Sequence, residues 1–225
     1  MKQSIGIVDT GSNFFANGVA VDLQNAKCVI SSDTSDHHGH GSSVASLLAA
    51  LCPEATLVPI RIAQVNEGQS TPSVPENVLA CGIDWCIDNR IRLVNISYSI
   101  EKVHEDGPLT AVCRKAAENN IIIVAAYRNG YQKPVYPAAF PSVIGVSIHR
   151  DLDHAQIAIV SEKNHDVATF GGPYQITSPG NTPKIVCGTS FATAQVTGMV
   201  ARMLAIKPVL TFKQVFCYLK KYAKK

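Results

Sequence analysis

Short apolar runs alternate with longer helical segments along most of this chain, and this alternation constrains the fold more than any other feature. The apolar runs cover residues 5–9, 56–62, 93–98, 121–126 and 142–148, and each has the length of one buried strand. Helical patterns lie between them, at residues 42–51, 76–89 and 109–119. A strand–helix–strand order produces a parallel sheet with helices on both faces. The sequence therefore predicts an α/β fold with a central, mostly parallel sheet flanked by helices.

The length and charge of the chain narrow its function classes. At 225 residues the chain has the size of a single domain, and we assign residues 1–225 to one domain. A formal net charge of +3 is too small to indicate a nucleic-acid-binding protein. No apolar run approaches the length that crosses a bilayer, so we expect no membrane association.

Cysteine usage and the first residues bear on the cellular compartment. The chain has 7 cysteines, an odd number, and most of them lie in apolar or helical surroundings. We interpret them as reduced, mostly buried thiols. The first residues lead directly into an apolar run, and no secretory signal is visible. These features predict a cytoplasmic protein.

One serine stands where its chemistry would be assisted by a helix. Ser190 follows a Gly-Thr pair in residues 186–194 (VCGTSFATA), at the start of a helix predicted for residues 190–204. The first turn of a helix carries free N–H groups and the positive end of the helix dipole. An oxyanion formed at Ser190 would be stabilised there. Taken alone, the segment is more typical of a helix capped by serine or threonine.

Two further segments supply the partners that a nucleophilic serine needs. Residues 5–11 (IGIVDTG) form a predicted strand that ends on Asp9, and the carboxyl ends of such strands carry function in α/β sheets. Residues 36–45 (DHHGHGSSVA) place His40 near the start of a helix. A solvated cap is the alternative for His40, and the neighbouring histidines also permit a metal site. However, the segment lacks paired i, i+4 ligands or cysteines at zinc spacing, so we predict no metal.

Together the three segments occur in the chain order Asp, His, Ser, which is the order found in subtilisin. Residues 9–11 (DTG), 39–45 (GHGSSVA) and 188–192 (GTSFA) resemble the three signature blocks of the subtilisin-like serine peptidases, or subtilases. The resemblance extends to residues 93–99 (LVNISYS), 122–129 (IIVAAYRN) and 136–146 (YPAAFPSVIGV). It implies a catalytic triad of Asp9, His40 and Ser190 in a subtilisin-like fold.

The same resemblance implies an oxyanion donor and a substrate-binding surface. Asn129 ends the segment that resembles the strand carrying the family's oxyanion asparagine, so its side chain would donate to the oxyanion. The extended segment Ser97, Tyr98 and Ser99 would pair with the substrate backbone, as an added strand does. The remaining substrate-binding residues implied by the resemblance are Ala126, Arg128 and Val135.

Several positions depart from the family pattern. Ala194 stands where the family usually has proline, four residues after the nucleophile. Ser99, Arg128 and Val135 stand where the family usually has glycine around the pocket for the P1 side chain, the substrate residue before the scissile bond. Each adds a side chain there, so we expect a small P1 residue, or an acidic one if Arg128 points inward. In the alternative, Arg128 points to solvent.

The parts that build the family's tight calcium site are reduced in this chain. The loop after the His40 helix is very short, at residues 51–53, and the extension before the first strand is missing. We therefore expect no calcium ion, and no cofactor.

Two functions of different classes follow from these observations. The first is a serine endopeptidase that acts through an acyl-enzyme intermediate and processes a peptide or protein precursor selectively. The second is a catalytically weak or inactive protein of the same fold that binds a peptide or a partner protein. The intact Asp9, His40, Ser190 and Asn129 favour the enzyme, whereas the replaced glycines favour the binding protein.

Overall fold

The computed structural model of the protein describes residues 3–13, 20–21, 27–63, 74–130, 133–178 and 182–224. Within them the helices are α1 (His40–Leu51), α2 (Glu76–Asp88), α3 (Pro108–Glu118), α4 (Thr189–Ile206) and α5 (Phe212–Tyr222). The strands are β1 (Ser4–Asp9), β2 (Ala20–Val21), β3 (Lys27–Cys28), β4 (Thr56–Arg61), β5 (Leu93–Ile96), β6 (Ile122–Ala126), β7 (Val143–Ile148), β8 (Ile157–Ser161), β9 (Asp166–Thr169), β10 (Tyr174–Ser178) and β11 (Thr182–Val186).

The main sheet is mostly parallel, as the sequence predicts. Its strand order is β2-β4-β1-β5-β6-β7-β9-β8, and β3 also pairs with β4. All of these pairs are parallel except β8 with β9. Strands β10 and β11 form a separate antiparallel hairpin. The order reverses direction at β1, which has β4 on one side and β5 on the other, so the ends of β1 and β5 flank a crevice suited to a site.

Helices cover both faces of the sheet because successive strand residues point to opposite sides. Leu93 of β5 belongs to an apolar cluster that also contains residues of α1, α4 and α5, such as Leu48 and Val200. The next residue, Val94, belongs to a second cluster, which contains residues of α2 and α3, such as Ile83. The two apolar clusters lie on either side of the sheet and complete a fold of three layers. The predicted fold class is therefore confirmed.

The predicted strands and helices are present, with shifts of one or two residues at most ends. The predicted strand at residues 93–98 is the main exception, since β5 ends at Ile96. Its neighbours β1 and β6 pair with it only as far as Ile96, so the next residues leave the ladder. Helix α1 begins at His40, earlier than residue 42, after Gly39 in the left-handed conformation. The short strands β2 and β3 and the strands β8 to β11 were not predicted.

The cysteines are less uniformly buried than the sequence predicts. Among those whose side chains the structure describes, Cys52, Cys86 and Cys113 are buried free thiols, whereas Cys81, Cys187 and Cys217 are exposed free thiols. Cys81 and Cys217 lie on exposed faces of α2 and α5, and Cys187 lies in the loop before α4. Apolar residues next to a cysteine in the sequence do not bury it when its side chain points away from the core. Burial raises the pKa of Cys52 to about 11 and that of Cys113 to about 12, which keeps both protonated.

None of the helices described by the structure is both long enough and apolar enough to span a bilayer. The assignment of residues 1–225 to one domain and the cytoplasmic location stay predictions.

Candidate active site

Strand β1 and helix α1 bring Asp9 and His40 into direct contact. Asp9 is the last residue of β1 and is fully buried, and His40 is the first residue of α1. His40 Nδ1 lies 2.7 Å from Asp9 Oδ1, a distance at which the ring N–H donates to the carboxylate. This bond fixes the orientation of the ring and leaves Nε2 as its other nitrogen. The pair joins residues 31 positions apart in the sequence.

The loop before His40 is held by a buried carboxylate that the sequence analysis did not single out. Asp36 accepts hydrogen bonds from the backbone N–H groups of Gly39 and Ser42, at 2.8 and 2.7 Å. It also accepts one from the Thr10 hydroxyl at 2.8 Å, while that hydroxyl accepts from Gly41 N–H at 2.9 Å. Thr10 follows Asp9 directly, so this network ties the end of β1 to the start of α1. The sequence did contain a signal for this role, because Asp36 lies just before the predicted helix, where a carboxylate can cap the helix start.

Two glycines allow the turn after β1 to lie close to the first turn of α1. Gly11 has φ +102°, a left-handed conformation that other residues rarely adopt. A Cβ atom on Gly41 would overlap the carbonyl oxygen of Gly11. The two glycines therefore let the turn after β1 lie directly against the first turn of α1, which is what brings His40 to Asp9.

Ser190 lies in the first turn of α4, as the sequence predicts, but that helix begins one residue earlier, at Thr189. The capping residue Gly188 has φ +131°, and its carbonyl oxygen accepts the N–H groups of Phe191 and Ala192. The long buried helix α4 contacts the central strands β5, β6 and β7, so Ser190 stands at the start of a helix that is held firmly against the sheet. The partial positive charge of the helix N-terminus is directed to the same place.

Asn129 lies beside this first turn. It follows β6, and its Oδ1 accepts a hydrogen bond from Thr189 N–H at 2.9 Å. Because the amide oxygen is engaged by α4, the NH₂ group occupies the opposite arm of the planar amide. It can therefore donate to a group in the adjacent cleft.

A cavity of about 610 Å³ joins most of the predicted residues. Its lining residues are His40, Ser97, Tyr98, Ser99, Ile100, Glu101, Tyr127, Arg128, Asn129, Cys187, Gly188, Thr189, Ser190 and Phe191. The structure thus places the predicted base, nucleophile and oxyanion donor around one space, together with the predicted substrate-pairing segment. The cavity is large enough for several side chains of a bound peptide.

Two predicted substrate-binding residues do not line this cavity. Val135 is fully buried, and the next residue, Tyr136, exchanges two backbone hydrogen bonds with Ile100. Val135 therefore fills protein interior beside this bridge, which corrects the expectation that its side chain narrows the pocket. Ala126 is also buried and belongs to the ladder between β6 and β7. Its backbone is engaged with Val146 there.

Arg128 lines the cavity, but it does not extend into an empty pocket. Its guanidinium forms an ion pair with Glu101, and both side chains are about half exposed. The sequence left open whether Arg128 points into the pocket or out to solvent. In the structure it does neither, because its guanidinium pairs with Glu101. The arginine reaches across to the opposite wall of the cleft.

Buried polar groups connect the substrate segment to the nucleophile helix. Asn95 in β5 accepts a hydrogen bond from the Thr197 hydroxyl of α4 at 2.9 Å. Its amide donates to Ser97 Oγ at 3.2 Å. Asn95 and Thr197 are both fully buried. The sequence indicates no role for either residue, because their pairing depends on how α4 packs on the sheet.

The surroundings of His40 favour its protonated form. Burial by itself lowers the pKa of an imidazole, but the negative charge of Asp9 and the hydrogen bond to it act in the opposite direction. Asp36 adds to the increase, and Lys184 opposes it. The net effect raises the pKa of His40 above its ordinary value. A base with such a pKa holds a proton readily once it has taken one.

Within the part of the chain that the structure describes, no cluster of three or more His, Cys, Asp or Glu side chains could hold a metal ion. The expectation of a protein without calcium or cofactor stays a prediction.

Comparisons with known proteins agree with this geometry. A profile of the subtilase family (peptidase S8) matches residues 2–224. Subtilisin NAT of Bacillus subtilis subsp. natto is 29% identical over 234 residues, which cover 94% of this chain and 58% of that protein. Subtilisin DY of Bacillus licheniformis is 29% identical over 94% of this chain and 80% of its own length. The chain thus spans 58% of the length of the first of these curated relatives.

A solved structure supports the fold independently. The crystal structure of a cold-adapted subtilisin-like serine proteinase superimposes with a TM-score of 0.76, at 20% sequence identity. The match covers 97% of this chain and 81% of that one. At this identity the likeness speaks for the fold alone.

Proposed function

The chain belongs to the subtilase family, and we propose that it is a serine endopeptidase with Asp9, His40 and Ser190 as its triad. The observation that carries this proposal is the 2.7 Å contact between Asp9 and His40 at the wall of a cavity that Ser190 also lines. An aspartate, a histidine and a serine so arranged are suited to activate a hydroxyl for attack on a peptide carbonyl.

The first step is attack by Ser190 Oγ on the carbonyl carbon of the substrate. The hydroxyl proton passes to Nε2 of His40, because Nδ1 already carries the proton donated to Asp9. Asp9 stabilises the imidazolium that forms, which agrees with the raised pKa of His40. The imidazolium then protonates the leaving amine, and an acyl-enzyme remains on Ser190. Water, activated by the same histidine, hydrolyses this ester.

The negative charge that develops on the carbonyl oxygen is stabilised by hydrogen-bond donors. The amide of Asn129, oriented by Thr189, and the backbone N–H of Ser190 supply them. Both donors stand at the N-terminus of α4, so the helix dipole acts in the same direction. They are in place before the reaction and need no reorganisation when the charge appears.

The substrate is a peptide or protein in extended conformation. Residues Ser97, Tyr98 and Ser99 line the cavity and leave the β5 ladder at Ile96, so their backbone can pair with a substrate segment. We further propose that the enzyme acts selectively on a precursor, because Arg128 and Glu101 narrow the cleft.

A fluorophosphonate probe tests the proposal directly, since it reacts only with an activated serine. We expect labelling of the wild type, loss of labelling in Ser190→Ala, and unchanged labelling in Ser142→Ala, a matched serine away from the cavity. Wild-type protein that is folded and does not react would contradict the proposal.

The second candidate function is peptide or partner binding without efficient cleavage. The ion pair across the cleft is the observation that favours it, because a filled cleft hinders substrate entry. A folded wild type that binds peptides and is not labelled would support this candidate.

A further inference from the structure

Two loops form the walls of the cleft beside Ser190. One consists of Ser99, Ile100 and Glu101, which follow β5, and the other of Tyr127, Arg128 and Asn129, which follow β6. Strands β5 and β6 are parallel neighbours in register, with Ile96 opposite Ala125. Both loops therefore leave the same edge of the sheet side by side, and the cavity lies between them.

The chemistry locates one substrate side chain in this cavity. The carbonyl that Ser190 attacks must also lie within reach of the Asn129 amide. The residue that carries this carbonyl is held against Ser97–Ser99 by its backbone. Its side chain, the P1 side chain, therefore extends between the two walls, toward Glu101 and Arg128.

Glu101 and Arg128 connect the two walls by an ion pair. The Arg128 guanidinium donates to Glu101 Oε1, so each wall contributes one end of the ion pair. The side chains are 50% and 55% exposed, which places the pair at the mouth of the cavity rather than in its floor. The Ile100–Tyr136 backbone bridge fixes the wall that carries Glu101.

We infer that the Glu101–Arg128 ion pair spans the P1 subsite and makes the enzyme select small, uncharged P1 residues. The inference rests on the proposed peptidase function. A bulky P1 side chain must break the pair to enter. An acidic P1 side chain is attracted by Arg128 and repelled by Glu101, whereas a basic one is attracted by Glu101 and repelled by Arg128. Neither therefore gains net binding energy from the pair. A small side chain fits beneath the pair and leaves it intact.

Reciprocal variants test this arrangement. Glu101→Gln leaves the Arg128 charge without its carboxylate partner, so cleavage after Glu should rise relative to cleavage after Ala, by up to about fivefold. Arg128→Gln leaves Glu101, so cleavage after Lys should rise by a similar factor. The exchanged double variant Glu101→Arg with Arg128→Glu rebuilds the pair and should return to the wild-type profile. Each profile is measured as relative kcat/KM on matched peptides with Ala, Glu, Lys or Phe at P1.

The control is Glu162→Gln, which removes an exposed ion pair with Lys220; neither residue lines the cavity, so the profile should stay unchanged. A wild-type preference for Phe, or an unchanged profile in both single variants, would overturn the inference. Calorimetric binding of the same peptides to the Ser190→Ala background measures the same preference without cleavage. An absence of fluorophosphonate labelling would therefore overturn the proposed chemistry, whereas the binding profile would still decide the role of the ion pair.

Discussion

The two sides of the cleft are built from different kinds of interaction. On the side of His40, Asp9 and Asp36 are 0% and 4% exposed, and buried hydrogen bonds join them to β1 and α1. On the side of the substrate walls, Glu101 and Arg128 are about half exposed and form one ion pair. In the function proposed above, the first region supplies the catalytic groups and the second selects the substrate side chain.

This difference has an energetic consequence. Removing one partner from a buried hydrogen bond costs about 1–3 kcal/mol, and more when a charge is involved. An exposed ion pair contributes only about 0.2–1 kcal/mol. Substitutions on the His40 side should therefore cost activity or stability, whereas substitutions in the walls should change preference and leave the fold intact.

The largest expected effect is that of the nucleophile and base. Ser190→Ala and His40→Ala should each lower kcat on the order of 10⁶-fold, a magnitude that comes from subtilisin itself. Because the two residues act together, the double variant should be little worse than either single variant. Steady-state cleavage of a fluorogenic peptide measures this. Substantial turnover in folded Ser190→Ala protein would show that another residue is the nucleophile.

Asp9→Asn should lower kcat by about 10⁴-fold, since the wrong imidazole tautomer is then favoured. It should also shift the pH profile. Catalysis needs neutral His40, so kcat/KM falls as the pH drops through the pKa of His40, which Asp9 raises. Without the carboxylate, burial lowers that pKa, and the acid-side inflection should move to lower pH. An inflection that stays in place, measured from pH 5 to 9, would contradict this account.

Asn129→Ala should lower kcat by about 10²–10³-fold, again a magnitude known from subtilisin, with little change in KM. The donor acts only when charge develops on the carbonyl oxygen, so substrate binding is not weakened. Asn129→Asp is a useful companion, because it keeps the acceptor for Thr189 and removes the donor. A change confined to KM would mean that Asn129 holds the substrate instead.

Thr10→Val tests the buried network without touching the triad. It removes the hydroxyl that joins Asp36 to Gly41, and should lower the free energy of unfolding by about 1–3 kcal/mol. Thr110→Val is the matched control. It removes a more exposed hydroxyl that donates to the His104 carbonyl oxygen, and should lower the free energy of unfolding by less. Urea unfolding at constant pH measures both. Equal losses would mean that burial does not strengthen the contribution of the Thr10 hydroxyl to stability.

The smallest expected effect is that of chelation. A calcium ion bound only to the native state would raise Tm with its concentration. We expect EGTA to leave Tm unchanged, because the loop at residues 51–53 is short and no metal-binding cluster lies among the described residues. A drop in Tm that calcium reverses would reveal a site elsewhere.

Local patterns in the sequence were sufficient for most of the parallel strands and for the helices between them. The apolar runs predicted β1, β4, β6 and β7 because a buried strand needs only a few consecutive apolar residues. Helix α5 begins with a capping box in which Thr211 and Gln214 exchange two hydrogen bonds, so this helix start depends only on residues three positions apart. The family resemblance also identified His40, Asn129 and Ser190, which line one cavity.

The tertiary structure alone decided what these residues touch. Asp36 accepts a hydrogen bond from Thr10 across 26 positions, and Asn95 accepts one from Thr197 across 102 positions. The sequence suggested an inward or an outward Arg128, but its position depends on Glu101, which another strand carries to the opposite wall. Val135 was expected at the pocket and is buried behind it. A strand or helix forms from its own residues, whereas the partner of a charged side chain depends on how separate elements pack.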